Sequence, residues 1–168
     1  VHPSLNSYSR LEDHYHIEEK GKFSGQGSLV YRQIEGKNNQ TFQDFKNLSK
    51  KWETGSEYIS LFPNVLLGVH RDHIFTIVVL PLSAAKTLER VAIYYPSETC
   101  TGKEFKNLRV KNTKIWRDIF VEDVEVVEGM QKGRSGVLFD GGRFSPVMDS
   151  PTHLFHQWVA NKLLRQKK

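Results

Sequence analysis

The chain is nearly without sulfur: one cysteine, Cys100, and two methionines, Met130 and Met148, among 168 residues. A single thiol excludes an internal disulfide, and it excludes any multi-cysteine metal or iron–sulfur site built from these residues alone. Cys100 lies in SETCTGKE, a polar, loop-like stretch. It reads as an ordinary free thiol of a reducing compartment, so the expected location is cytoplasmic. Also missing is any apolar run near the roughly 20 residues of a membrane span, and no signal peptide is visible. There are no internal repeats and no low-complexity tract. No Met precedes the opening VHPSL. The expectation is therefore a piece of a longer chain, with His2 close to its front.

A strong charge of one sign is absent as well. The net charge is +5, with part of it in the tail LLRQKK and in KNLSKK. No aromatic–basic interleaving or groove-reading helix accompanies these patches, so they read as solvated surface. The alternative, a basic RNA-binding domain, predicts steeply salt-dependent binding. No nucleic-acid partner and no membrane partner is expected.

What is present fits one globular domain, with 38% hydrophobic and 11% aromatic residues. A chain of this length buries roughly two-thirds of its unfolded surface. Residues 1–25 are mixed, polar and His-rich. GSLVYRQI, about 27–34, reads as a strand, and GKNNQTFQDFKNLSKK as a polar connection with weak helical character. YISLFPNVLLGVH and DHIFTIVVLPLS read as two strands joined by a tight turn, and KTLERVAIYYPS as a third. After residue 110 the period becomes helical. Asn112 or Thr113 can cap a helix over 113–132 that ends near Gly133. GRSGVLFDGGRFSP is a Gly-rich loop. A closing helix over 151–166 follows, with Pro151 at its first position. Strands followed by helices imply an α+β fold, a curved antiparallel sheet wrapped on a long helix.

That long helix carries a misplaced acid. Trp116, Ile119, Phe120, Asp123, Val127 and Met130 share one face by i, i+3, i+4, i+7 spacing. All but Asp123 are apolar, and no Lys or Arg shares the stripe. The helix is accordingly expected to be mostly buried, with Asp123 turned into the concavity of the sheet. A carboxylate facing a core is costly when isolated and ionised. Either backbone N–H groups or a base from another element satisfy it, or it binds a metal ion. The seven histidines are weighed in the same way. His14 and His16 would share a face if extended, as a ligand pair or as plain surface. His70 and His73 flank the turn in VHRDH and are expected to be turn-exposed. His153 and His156, one helical turn apart, suit helix packing or surface.

Read together, VHPSL and FVEDVEVVEGMQKGRSG resemble the C-terminal catalytic part of the large (alpha) subunit of Rieske-type non-haem iron oxygenases, the ring-hydroxylating dioxygenase family. In that family a segment of the form YHCPxVHP carries two iron-binding histidines five apart. The second maps to His2, followed by Pro3. The first would lie five positions before it, outside these residues. The family's third ligand is a carboxylate on a long helix, which maps to Asp123 in Glu122-Asp123, with Gln131 and Gly133 following. The closing GGRFSPVMDSPTHLFHQWVANKL is similar to the family's usual ending. The likeness spans nearly the whole chain. It lacks the CxH…CxxH Rieske motif and the first histidine.

The resemblance implies a helix-grip domain and a mononuclear Fe(II) held by His2, Asp123 and an upstream histidine, a facial triad with open positions for dioxygen and substrate. It implies a Rieske [2Fe–2S] cluster in an upstream domain, so that residues 1–168 are a partial catalytic domain and inactive alone. It implies NADH-derived electrons through a reductase or ferredoxin, a homotrimer at full length, and hydroxylation or demethylation of a small organic substrate, an aromatic compound or a quaternary amine. The pocket is expected between sheet and long helix, walled by residues of ISLFPNVLLGVH and IFTIVVL. A different reading is a non-enzymatic helix-grip domain that carries a hydrophobic ligand.

Overall fold

The computed structural model describes residues 10–165. Six strands form one curved antiparallel sheet in chain order: β1 (His14–Glu19), β2 (Phe23–Ser28), β3 (Ser56–Leu61), β4 (Val65–Val69), β5 (Ile74–Ser83) and β6 (Lys86–Tyr94). A short helix α1 (Glu98–Thr101), the long helix α2 (Lys106–Arg134) and the closing helix α3 (Ser150–Arg165) follow. This is the α+β helix-grip architecture.

The polar N-terminal stretch holds a hairpin, β1 against β2, whose pattern is too polar to announce it. Tyr15 stands opposite Gly27. A Cβ at Gly27 would lie 2.1 Å from Tyr15 Cζ, so glycine there makes room for the ring. The strand expected over 27–34 stops at Ser28. Beyond it, Leu29 N–H bonds to Asp13 O and Tyr31 N–H to Thr54 O, which draws the chain out of the ladder. YISLFPNVLLGVH is two strands, not one. Pro63 cannot donate to a ladder and falls in the turn between β3 and β4.

The sheet's helix-facing side follows the register. Tyr58 pairs with Gly68 and Gly68 with Phe75, while Leu66 pairs with Ile77 and Phe75 with Ile93. Tyr58, Leu66, Ile93, Ile119 and Phe120 pack around a buried centre of Phe75, Ile77 and Trp116. A second centre joins Phe42, Cys100 and Leu108. Cys100 is thus no surface thiol: it is fully buried, and Ser97 at the cap of α1 accepts its backbone N–H. Phe42 ties the long polar connection into the same centre.

Helix α2 starts seven residues before the expected 113 (113 − 106). Leu108, Asn112 and Trp116 are its buried residues, at i, i+4 and i+8. The stripe therefore runs upstream through residues whose neighbours are polar enough to read as a connection. Helix α3 packs on β1 and β2, and Ser24 Oγ donates to Pro151 O at 2.8 Å. Phe62 meets Phe155 and Trp158 at ring separations of 5.3 and 5.7 Å.

Candidate active site

The helix is not mostly buried. Ile119, Phe120 and Asp123 are half-buried, and every residue from 124 to 134 is exposed. Val127 and Met130, expected on the core stripe, are 62% and 50% exposed. The reason is the extent of the sheet-side cluster, which reaches along α2 only as far as Phe120. Asp123 is consequently the last residue of α2 that is not exposed, one turn beyond Ile119 and Phe120. Glu122 is exposed.

His2 lies outside the described residues, so its separation from Asp123 is not placed. Among the described residues no group of three or more His, Cys, Asp or Glu is assembled to hold a metal ion. Asp123 itself is an oxygen donor on an otherwise apolar stripe, which suits the carboxylate of a two-histidine, one-carboxylate iron site. Of the expected ligands His2 and Asp123, only Asp123 falls among the described residues, and its carboxylate is a donor of a kind that iron accepts. His153 and His156 are exposed on α3, with Phe144 against both rings at 4.8 and 5.1 Å. His16 is exposed and His14 half-buried on β1.

Two grooves open on the sheet, the second of them beside the stripe. One, of about 470 Å³, runs between the sheet and α3, lined among others by Tyr58, Leu66, Phe75, Ile77, Met148 and Phe155. The other, of about 640 Å³, separates β6 from α2 and is lined by Val91, Ile93, Trp116, Phe120, Val121 and Val124 with several polar neighbours. The expected wall segments contribute Ile59, Ser60, Leu66, Leu67, Phe75 and Ile77 to the first groove, joined by Tyr58 just before them, but that groove faces α3 rather than the long helix.

The principal correction concerns VHRDH. His70 and His73 are not turn-exposed: they are 1% and 0% exposed, beside Asp72 at 1%. Their rings stack at 4.5 Å with planes 8° apart. Trp116 Nε1–H donates to His73 Nε2 at 2.7 Å. An indole N–H is a donor only, so His73 Nε2 is the bare nitrogen and Nδ1 carries the proton. That Nδ1–H donates to Asp72 Oδ1 at 2.8 Å, and the Tyr31 hydroxyl donates to the same oxygen at 2.7 Å. Burial, with Asp72 second, raises the Tyr31 phenol far above its usual range. Burial, with His73 second, holds His70 well below its usual 6.5. A signal for this existed in the sequence. Counting by twos out of β4 through Leu66 and Gly68 reaches His70, on the sheet face that packs against α2.

The chain belongs to the ring hydroxylating alpha subunit (catalytic domain) family, whose model matches residues 1–165. It is similar to putrescine 2-hydroxylase of Bordetella bronchiseptica (strain ATCC BAA-588 / NCTC 13252 / RB50), with 26% identity over 138 residues. That alignment covers 79% of this chain and 30% of that protein, so the chain spans under a third of the relative's length. Among the described residues no helix is long and apolar enough to cross a membrane.

Proposed function

We propose that these residues form part of the catalytic domain of a Rieske-type non-haem iron oxygenase. Asp123 and His2, with a further histidine, hold a mononuclear Fe(II). The observation that carries this reading is the position of Asp123: a carboxylate closing the inward stripe of α2, directly after Ile119 and Phe120. Family membership supports it. Iron bound there supplies the redox chemistry by which dioxygen is activated beside an organic substrate. The chain's own part is to fix the carboxylate, to wall the substrate space with Tyr58, Leu66, Phe75 and Ile77, and to keep water from it.

With one cysteine among 168 residues, the chain has no thiolate set for a [2Fe–2S] cluster. Electrons from NADH, passed by a reductase or ferredoxin, reach the iron from a cluster held outside these residues, and these residues alone turn over no substrate. The full-length protein assembles as a homotrimer. Similarity to a putrescine 2-hydroxylase favours a small aliphatic amine over an aromatic ring as substrate. The test is anaerobic Fe(II) loading of full-length protein, wild type against Asp123→Ala, with iron content and substrate-dependent oxygen uptake measured. Loss of both in the variant supports the reading. Full iron content in the variant refutes it, and wild type that binds apolar probes without iron points to the ligand carrier instead.

A further inference from the structure

We infer that His73, held by Asp72 and Tyr31, is a positioning residue that aims Asp123 by anchoring Trp116. The inference rests on Asp123 being the iron ligand. Three observations converge on it. First, Trp116 and Asp123 are seven residues apart. At about 100° per residue this places them within about 20° of one another around α2 and about 10 Å apart along it. A rotation of the helix at Trp116 therefore swings Asp123 by the same angle.

Second, beyond Asp123 every side chain through Arg134 is exposed. Packing of that half against the sheet does not set the roll of the helix. The roll is set upstream, by Leu108, Asn112, Trp116, Ile119 and Phe120, and more loosely by Arg109 and Lys111, whose long, flexible side chains donate to the backbone carbonyls of Cys100, Gly102 and Glu35. Leu108, Ile119 and Phe120 make apolar contacts, which tolerate small rotations. Asn112 Nδ2–H bonds to Tyr95 Oη at 3.2 Å. The bond from Trp116 to His73, at 2.7 Å, is shorter and one turn nearer the carboxylate.

Third, the acceptor is itself immobilised. His73 is fully buried, its Nδ1–H is engaged by Asp72, and Asp72 is engaged again by Tyr31. His70 lies flat against its ring. The imidazole has one tautomer and one orientation, so it offers a single fixed lone pair to the indole. A buried Asp–His pair that packing alone did not require thus acquires a purpose: it turns a rotationally soft helix into a directional mount. Direct hydrogen-bond partners of a metal ligand typically change metal affinity about 10- to 100-fold, and His73, which acts on Asp123 through Trp116 and the helix, is expected at the lower end of that range.

The experiment is anaerobic Fe(II) titration of metal-free, full-length protein, read as Kd, with the melting temperature of each metal-free form recorded. Trp116→Phe keeps an aromatic ring and removes the donor; His73→Phe removes the acceptor. Each is expected to weaken Fe(II) binding about 10-fold or more. His73→Gln, whose amide oxygen can accept the indole N–H, is expected to bind closer to wild type than His73→Phe. Leu108→Val is the control, a core loss on the same helix without a change in direction, and it is expected to leave Kd within about 2-fold. Trp116→Phe weakening Fe(II) binding no more than Leu108→Val would overturn the inference. Asp123→Ala separates the two levels. If it abolishes binding while Trp116→Phe does not weaken it, only the positioning role fails. If it leaves binding intact, the ligand assignment fails and takes the positioning role with it.

Discussion

A carboxylate moved from water to an apolar surface loses hydration that something must replace. For Asp123 the two candidates, a metal ion or protein donors, leave different thermodynamic traces. As a ligand, half-buried Asp123 does its work at the metal rather than in the packing of the metal-free chain. Asp123→Ala then removes the iron, and the melting temperature of the metal-free form should stay close to that of the wild type. As a structural acid, its loss strands buried donors at about 1–3 kcal/mol each. Iron content and melting temperature measured side by side decide. Full iron with a strongly lowered melting temperature would make Asp123 structural, and exposed Glu122 would become the ligand to test. Gly68 is constrained in another way. A Cβ there would sit 2.2 Å from Phe75 Cε1, and Phe75 is held by Trp116 at 4.5 Å and Phe120 at 5.2 Å. The ring has no empty space to enter. Gly68→Ala should destabilise by about 1–3 kcal/mol in urea unfolding, the usual range for overpacking. A neutral result would mean the β4–β5 ladder yields more easily than this packing implies.

Helix α2 behaves as two elements joined end to end. Its first half is anchored by Leu108, Asn112 and Trp116, and its second half projects with exposed side chains. Leu108→Ala should cost about 2–5 kcal/mol, as for a fully buried leucine. Val127→Ala should stay within about 0.5 kcal/mol, as at other exposed positions. Amide exchange should protect 110–120 well above 124–134; equal protection along the helix would contradict the division. The same division explains what the sequence could convey. Apolar spacing over Trp116, Ile119 and Phe120 marks the helix and its inward face. Spacing continues through Val127 and Met130, but periodicity does not report where the opposing sheet ends, so those two residues read as inward-facing although they are exposed. Upstream, Leu108 stands among Lys106, Asn107 and Arg109, and its own burial comes from a distant Phe42 and Cys100. Strands β5 and β6 were legible because β-branched and aromatic residues fill them. β1 and β2, HYHIEE and FSGQGS, were not, because polar and Gly-rich strands carry little pattern and are held by register instead.

At the scale of the molecule, the centre between sheet and helix is polar as well as apolar: His70, Asp72, His73 and Asn112 are all at or below 1% exposure. No hydropathy pattern marks such a centre, since each residue taken alone reads as surface. Its consequence is a dependence of stability on pH. His70 is held well below its ordinary 6.5, chiefly by burial, so the folded chain keeps it neutral. Above about pH 6.5 the imidazole is neutral in folded and unfolded chains alike, and it contributes no pH dependence. As pH falls through that value the unfolded chain takes up a proton that the folded chain refuses. The unfolded state is favoured, and unfolding free energy drops by about 1.4 kcal/mol per pH unit until the depressed folded value is reached. His70→Phe keeps a ring for the stack with His73 and removes the titration. Urea unfolding of both proteins from about pH 8 to about pH 5 should give curves whose difference is flat at the upper end and opens below about 6.5, with wild type losing stability faster. Carboxylates elsewhere titrate in both proteins and cancel in the difference. Parallel curves across the whole range would show that His70 accepts a proton in the folded state, and that the centre between sheet and helix admits charge.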